Sequence, residues 1–163
     1  MNLKNLKEVI SVYKNKIILI DDQEMLLDPL VDLLEELIAS LDYKFLEVRS
    51  FTNPDKALDY VMNEHSSICL IISDENMPPS DLKGGEIFTH LVDQITYLPI
   101  LALHTTEANY ILNEYPKLIG KVMTLNKPVR LMLFKNIFED LFKNIAFERS
   151  EKSENTLEVQ CCG

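Results

Sequence analysis

Basic residues are scarce in this chain. Sixteen Lys and Arg stand against 26 Asp and Glu, a formal net charge of −10. A surface that binds phosphodiester backbones needs clustered cations, so a nucleic-acid-binding role is disfavoured. Apolar runs long enough to cross a bilayer are missing, and the opening stretch MNLKNLKEVISVYKNK has no signal-peptide apolar core. No membrane association is expected, and the expected location is the cytoplasm. Cysteine is too sparse for a disulfide framework, with three in the chain. Cys69 lies within an apolar run and reads as a small core residue. Cys161 and Cys162 fit neither a zinc-site spacing nor a C-terminal prenylation box. No internal repeat is visible.

What is present suits one globular domain. The 163 residues are 47% apolar and 26% charged, enough for a single real core and too few for two. Residues 1–15 carry Leu3, Leu6, Val9 or Ile10 and Tyr13 at helical spacing, an amphipathic prefix that could pack in cis or pair two chains as a homodimer. KIILI, residues 16–20, is a short continuous apolar run, as a strand buried on both faces reads. EMLLDPLVDLLEELIASL has a 3.6-residue leucine period and predicts a helix whose Pro29 is tolerable only near the first turn. KFLEVRSF alternates like a sheet-edge strand. TNPDKALDYVMNEH opens with Thr52 or Asn53 as N-cap and Pro54 as first helical residue.

ICLIIS and LPILALH predict two more strands, separated by a helix over GGEIFTHLVDQI. TEANYILNEYPKL predicts a weaker helix, GKVMTL a last strand, and PVRLMLFKNIFEDLFKNIAF a long helix. Residues 148–163 are polar and aperiodic, the pattern of a disordered tail. Strand and helix thus alternate five times over 16–147, which predicts an α/β domain with a parallel sheet covered by helices on both faces.

In such sheets ligands gather outside the carboxyl ends of the strands. Asp21 and Asp22 follow the first strand, Asp74 the third, His104, Thr105 and Thr106 the fourth, and Asn126, Lys127 and Pro128 the fifth. Singly each has a plain structural explanation, as a turn former, a helix-end charge or a solvated lysine. Together, three carboxylates held close repel one another unless they share a cation. A hard divalent ion such as magnesium (or manganese) takes oxygen ligands of this kind, with phosphate oxygens completing its shell. An Asp can then serve as nucleophile toward phosphorus, with the Lys as a point charge.

ILIDDQ, IISDENMP and LNKP, in that order and spacing, resemble the receiver domain of two-component response regulators over roughly residues 16–147. The resemblance implies a doubly wound, flavodoxin-like five-stranded sheet of order 2-1-3-4-5. It implies Asp74 as phosphoacceptor, a magnesium site formed by Asp21, Asp22, Asp74 and Asn76, and Lys127 as the site lysine. It also implies a cis peptide before Pro128. The implied partners are a histidine kinase or histidine phosphotransfer protein upstream and a protein target downstream, with no nucleic acid. Slow autodephosphorylation is implied, with no turnover of an external substrate. The chain would be a stand-alone receiver or the receiver part of a longer regulator.

Two positions depart from the family's pattern. His104 stands where Thr or Ser is usual, with Thr105 next, so either His104 replaces the hydroxyl or Thr105 serves after a one-residue shift. For His104 a histidine packed at a strand end is the favoured reading over one that touches the phosphate. Thr124 stands where the family favours an aromatic. Gly84-Gly85 also arrive about two residues later than usual after Met77-Pro78. Two rival functions remain. A pseudo-receiver would act only as a binding or dimerisation module. A phosphatase of the aspartyl-phosphate type would want an Asp two residues after the nucleophile, where this chain has Asn76.

Overall fold

The computed structural model describes residues 14–136 except 42, 44, 79, 109, 129–131, 133 and 134. Five parallel strands form one sheet: β1 (Lys16–Ile20), β2 (Glu47–Phe51), β3 (Ile68–Asp74), β4 (Ile100–Thr105) and β5 (Val122–Asn126), in the order 2-1-3-4-5. The doubly wound α/β architecture is therefore as expected. Three α-helices are described: α1 (Glu24–Ser40), α2 (Pro54–Glu64) and α3 (Gly84–Gln94).

Strand residues alternate between the two faces. Ile17, Leu19, Leu70, Ile72 and Ala102 pack in one layer with Leu27, Leu34, Leu37 and Ile38 of α1. Ile18, Ile20, Ile71, Leu101 and Leu103 pack in the other, with Ala57 and Val61 of α2 and Ile87, Phe88 and Leu91 of α3. Each fully buried Leu or Ile contributes about 1.5–3 kcal/mol relative to an exposed one. β3 lies in the middle of the sheet and is buried at every position, which is why its sequence shows no alternation. β2 is an edge strand with Arg49 and Ser50 exposed, as its mixed sequence predicts.

Helix starts follow local chemistry. Asn53 caps α2: its side chain accepts the Lys56 backbone N–H at 2.9 Å, and Pro54 occupies the first helical position. Pro29 sits in the second turn of α1 rather than the first. The lost hydrogen bond would have gone to the carbonyl of Met25, on a stretch open to water where Met25 is 87% exposed.

The helix expected over TEANYILNEYPKL is a correction. Two short 3-10 turns, Ile111–Asn113 and Pro116–Leu118, stand there instead. Pro116 cannot donate to the preceding turn and disfavours helical backbone at Tyr115, whose φ of −125° and ψ of 69° end the first turn. The amphipathic prefix over 1–15 falls outside the described residues except for 14 and 15, and the tail over 148–163 falls outside them altogether. So does most of the last helix, within which Met132, Lys135 and Asn136 are helical. Among the described residues no helix is long and apolar enough to cross a membrane.

Candidate functional site at the carboxyl edge of the sheet

Parallel strands of similar length bring their carboxyl ends to one edge, and the residues singled out from the sequence meet there. β1 stops at Ile20, and the Asp21 N–H continues onto the Phe51 carbonyl at 3.2 Å, which fixes where the acidic pair begins. Asp21 is buried, and its Oδ1 accepts the Gln23 N–H at 3.0 Å. One carboxylate oxygen from each of Asp21, Asp22 and Asp74 lies within 4.8 Å of the others. Burial raises the Asp21 carboxyl above its ordinary value; the Gln23 amide and Lys127 oppose the shift, and the charges of Asp74 and Asp22 add to it. Asp22 Oδ1 is buried with no hydrogen-bond partner among the described residues. An orphaned anionic oxygen in a group of three carboxylates is the donor set a hard divalent cation takes.

Asp74 is the last residue of β3 and 4% exposed. Its Oδ1 forms an ion pair with Lys127 Nζ at 2.8 Å and accepts a hydrogen bond from the Glu75 N–H at 2.8 Å. Lys127 reaches it from the end of β5, its own N–H donating to the Thr105 carbonyl at 3.1 Å, and the Lys127-Pro128 peptide is cis. Asn76 follows in the loop, exposed, between buried Glu75 and buried Met77. A cleft lined by Asp22, Thr52, Asn53, Met77 and Ser80 opens beside the carboxylates.

The register sets His104 of β4 opposite Asp74. Its Nε2 is buried and lacks a partner among the described residues. Burial pushes the imidazole down to about 4, with the Lys127 charge adding and Asp74 opposing, so the ring is neutral at physiological pH. Thr105 is buried, and its Oγ1 accepts the Glu107 N–H at 3.1 Å, which ties it to the following turn. The charges of Asp74 and Lys127 both act on the His104 ring.

Comparison with solved structures identifies the architecture. A response-regulator receiver domain protein from Clostridium thermocellum aligns with a TM-score of 0.63 at 20% identity over 83% of this chain and 97% of that one. The chemotaxis protein CheY4 of Vibrio cholerae aligns with a TM-score of 0.61 at 21% identity, over 78% and 98%. This is the receiver fold. A third receiver-fold match, at TM-score 0.56 and 19% identity over 75% of this chain and 84% of that one, comes from a Saccharomyces cerevisiae co-crystal. That crystal joins the histidine phosphotransfer protein Ypd1 and the receiver domain of the response regulator Ssk1. No protein-family model and no curated protein matches the chain.

Two residues at this receiver-fold edge carry no signal in the sequence. Glu75, directly after Asp74, is 2% exposed and turns its carboxylate inward. Its Oε1 accepts the Tyr115 hydroxyl at 2.6 Å and its Oε2 the Gly85 N–H at 2.8 Å, while its backbone carbonyl accepts the Gly84 N–H at 3.2 Å. Burial raises the Glu75 carboxyl, and the Tyr115 and Gly85 hydrogen bonds oppose that shift. The paired glycines are required by space. A Cβ on Gly84 would stand 2.2 Å from the Asp74 carbonyl oxygen, and one on Gly85 would stand 2.1 Å from the Tyr115 ring. A buried Glu between two site residues hints at a local partner, but nothing in the sequence points from it to Tyr115.

Proposed function

We infer that this chain works as a response-regulator receiver that accepts a phosphoryl group on Asp74 from a phosphohistidine donor. The observation that carries this reading is the Asp74 carboxylate at the end of the central strand, held by Lys127 Nζ at 2.8 Å beside the two further carboxylates. In the transfer, an oxygen of Asp74 forms a bond to phosphorus as the bond from phosphorus to the donor's imidazole nitrogen breaks, that nitrogen keeping the electron pair. Lys127 holds the Asp74 carboxylate in line and meets the phosphoryl oxygens as a fixed positive charge. The Glu75 N–H orients the same oxygen. His104, neutral and opposite Asp74 in the register, has a buried Nε2 without a partner among the described residues and stands in the position where the family carries a hydroxyl.

Asp21, Asp22, Asp74 and the Asn76 carbonyl would hold a magnesium or manganese ion. Such an ion, when bound, supplies positive charge that offsets the carboxylates and draws in phosphate oxygens. The donor would be a histidine kinase or histidine phosphotransfer protein, a partnership supported by the yeast co-crystal match. The phosphorylated surface would then be read by a downstream protein in the cytoplasm. Turnover of an external ester is not expected, because Asn76 offers no acid where a phosphatase needs one.

A second reading keeps the fold as a binding module without phosphorylation, and His104 with Thr124 favour it. Intact mass after incubation with acetyl phosphate and magnesium, repeated with a phosphohistidine donor, separates the two. A single phosphate adduct that needs the metal and disappears in Asp74→Asn is the expected result. Absence of an adduct with both donors would overturn the receiver reading in favour of the binding module.

A further inference from the structure

Among the described residues, Glu75 both donates a hydrogen bond to Asp74 and reaches across to the 110–119 segment. Its N–H is shared between Asp74 Oδ1 at 2.8 Å and the His104 carbonyl at 3.2 Å. Its carboxylate is shared between Gly85 and Tyr115. Displacing the Asp74 carboxylate removes one of the two acceptors of the Glu75 N–H, and a resulting shift of Glu75 is passed to the two neighbours that hold its carboxylate.

The first neighbour cannot yield. α3 begins on the glycine pair with no free space against the Asp74 carbonyl, and it buries Ile87, Phe88 and Leu91 in the core. Its first turn is further pinned by the Lys83 N–H on Glu86 Oε2 at 2.9 Å. The second neighbour is softer. Tyr115 lies between two three-residue 3-10 turns, a geometry with few and poorer hydrogen bonds. Only Ile111 and Leu118 of those turns are buried, and the flanking side chains Tyr110 and Ile119 are 71% and 62% exposed.

We propose that the Tyr115–Glu75 hydrogen bond is a latch that carries the state of Asp74 to the surface around Tyr110 and Ile119. With the Asp74 carboxylate free to accept the Glu75 N–H, the latch is closed and the two turns are held against α3. When that acceptor changes, the Glu75 carboxylate shifts relative to the Tyr115 hydroxyl, and the segment 110–119 takes a different position. The link suits a chain with Thr124 rather than an aromatic on β5, since the tyrosine arrives from a neighbouring segment instead. Its use in signalling rests on the phosphoryl-transfer reading, whereas the coupling itself does not.

The test is a double-mutant cycle read by backbone amide NMR, with Asp74→Ala, which removes the acceptor of the Glu75 N–H, and Tyr115→Phe. Tyr115→Phe removes the hydroxyl and leaves the ring packed on Gly85. In the native background Asp74→Ala should shift the amides of 110–119 as well as those of the strand ends. In the Tyr115→Phe background the shifts at 110–119 should fall to less than half while those at the strand ends persist. A second arm repeats the comparison with acetyl phosphate and magnesium, the adduct being counted by mass in the same samples.

Equal shifts at 110–119 with and without the hydroxyl, or none at 110–119 in the native background, would overturn the latch. Failure of the adduct alone would sink the receiver reading and leave the Asp74→Ala arm to decide the latch. Loss of dispersed spectra in Tyr115→Phe would make the bond a folding requirement and overturn the switching role.

Discussion

Lys127 and Asp74 form an ion pair at 2.8 Å, and His104 stands in the field of both. That placement makes the imidazole an acid-sensitive group. Its folded value of about 4 lies below the 6.5 of a free histidine, because burial and the Lys127 charge both disfavour the imidazolium. Between those values the unfolded chain binds a proton that the folded chain does not. The neutral ring's contribution to stability is thus fully present above about pH 6.5 and is lost as pH falls toward 4. In metal-free buffer, side-chain NMR should show the His104 ring titrating well below 6.5. A midpoint at or above 6.5 would mean the ring is solvated and turned away from the site.

At the scale of elements, the caps show how local chemistry sets the site's walls. Asn53 ends the β2–α2 connection and also lines the cleft beside Asp22, so one hydrogen bond serves both a helix start and a site boundary. Asn53→Ala should lower unfolding free energy by about 1 kcal/mol, the usual worth of a side-chain cap, with an unchanged urea m-value. A loss well above that would mean the asparagine also holds the cleft together. By contrast, α1 starts at Gln23 without a side-chain cap and crosses Pro29, so its stability comes from the buried row Leu27, Leu34, Leu37 and Ile38. Such a helix depends on packing rather than propensity.

The whole molecule carries −10 at neutral pH, and the carboxyl edge concentrates part of that charge. Three carboxylates against one Lys127 ammonium leave the edge repelling itself, and at these separations a like-charge pair can cost up to a few kcal/mol. Two opposite responses should follow from Asp22→Asn. In metal-free buffer the variant should melt higher than the native chain, because one repulsive charge is gone. With millimolar magnesium the native chain should gain melting temperature and the variant should gain far less, by the linkage of binding to folding. A native chain whose melting temperature ignores magnesium would remove the divalent-cation reading of these acids.

Much of this was readable from the amino acids alone, for a physical reason. Strands buried on both faces must be continuously apolar, so KIILI and ICLIIS announce a parallel sheet, and the residue that ends each run stands at the sheet's carboxyl edge. Asp21, Asp22, Asp74, His104 and Lys127 could therefore be placed at one edge before any coordinates were known. Other features depended on contacts between distant segments. TEANYILNEYPKL has enough helical spacing to suggest a helix, yet Pro116 and the packing of Tyr115 on Gly85 make it two short turns. The β3–β4 register sets His104 opposite Asp74, while Thr105 pairs with Asn126 and its hydroxyl accepts the Glu107 N–H. The Tyr115–Glu75 bond joins residues 40 positions apart, and no local periodicity encodes a contact of that range. Burial of single strands is a local property of sequence; which side chains meet at their ends is decided only when the sheet closes around them.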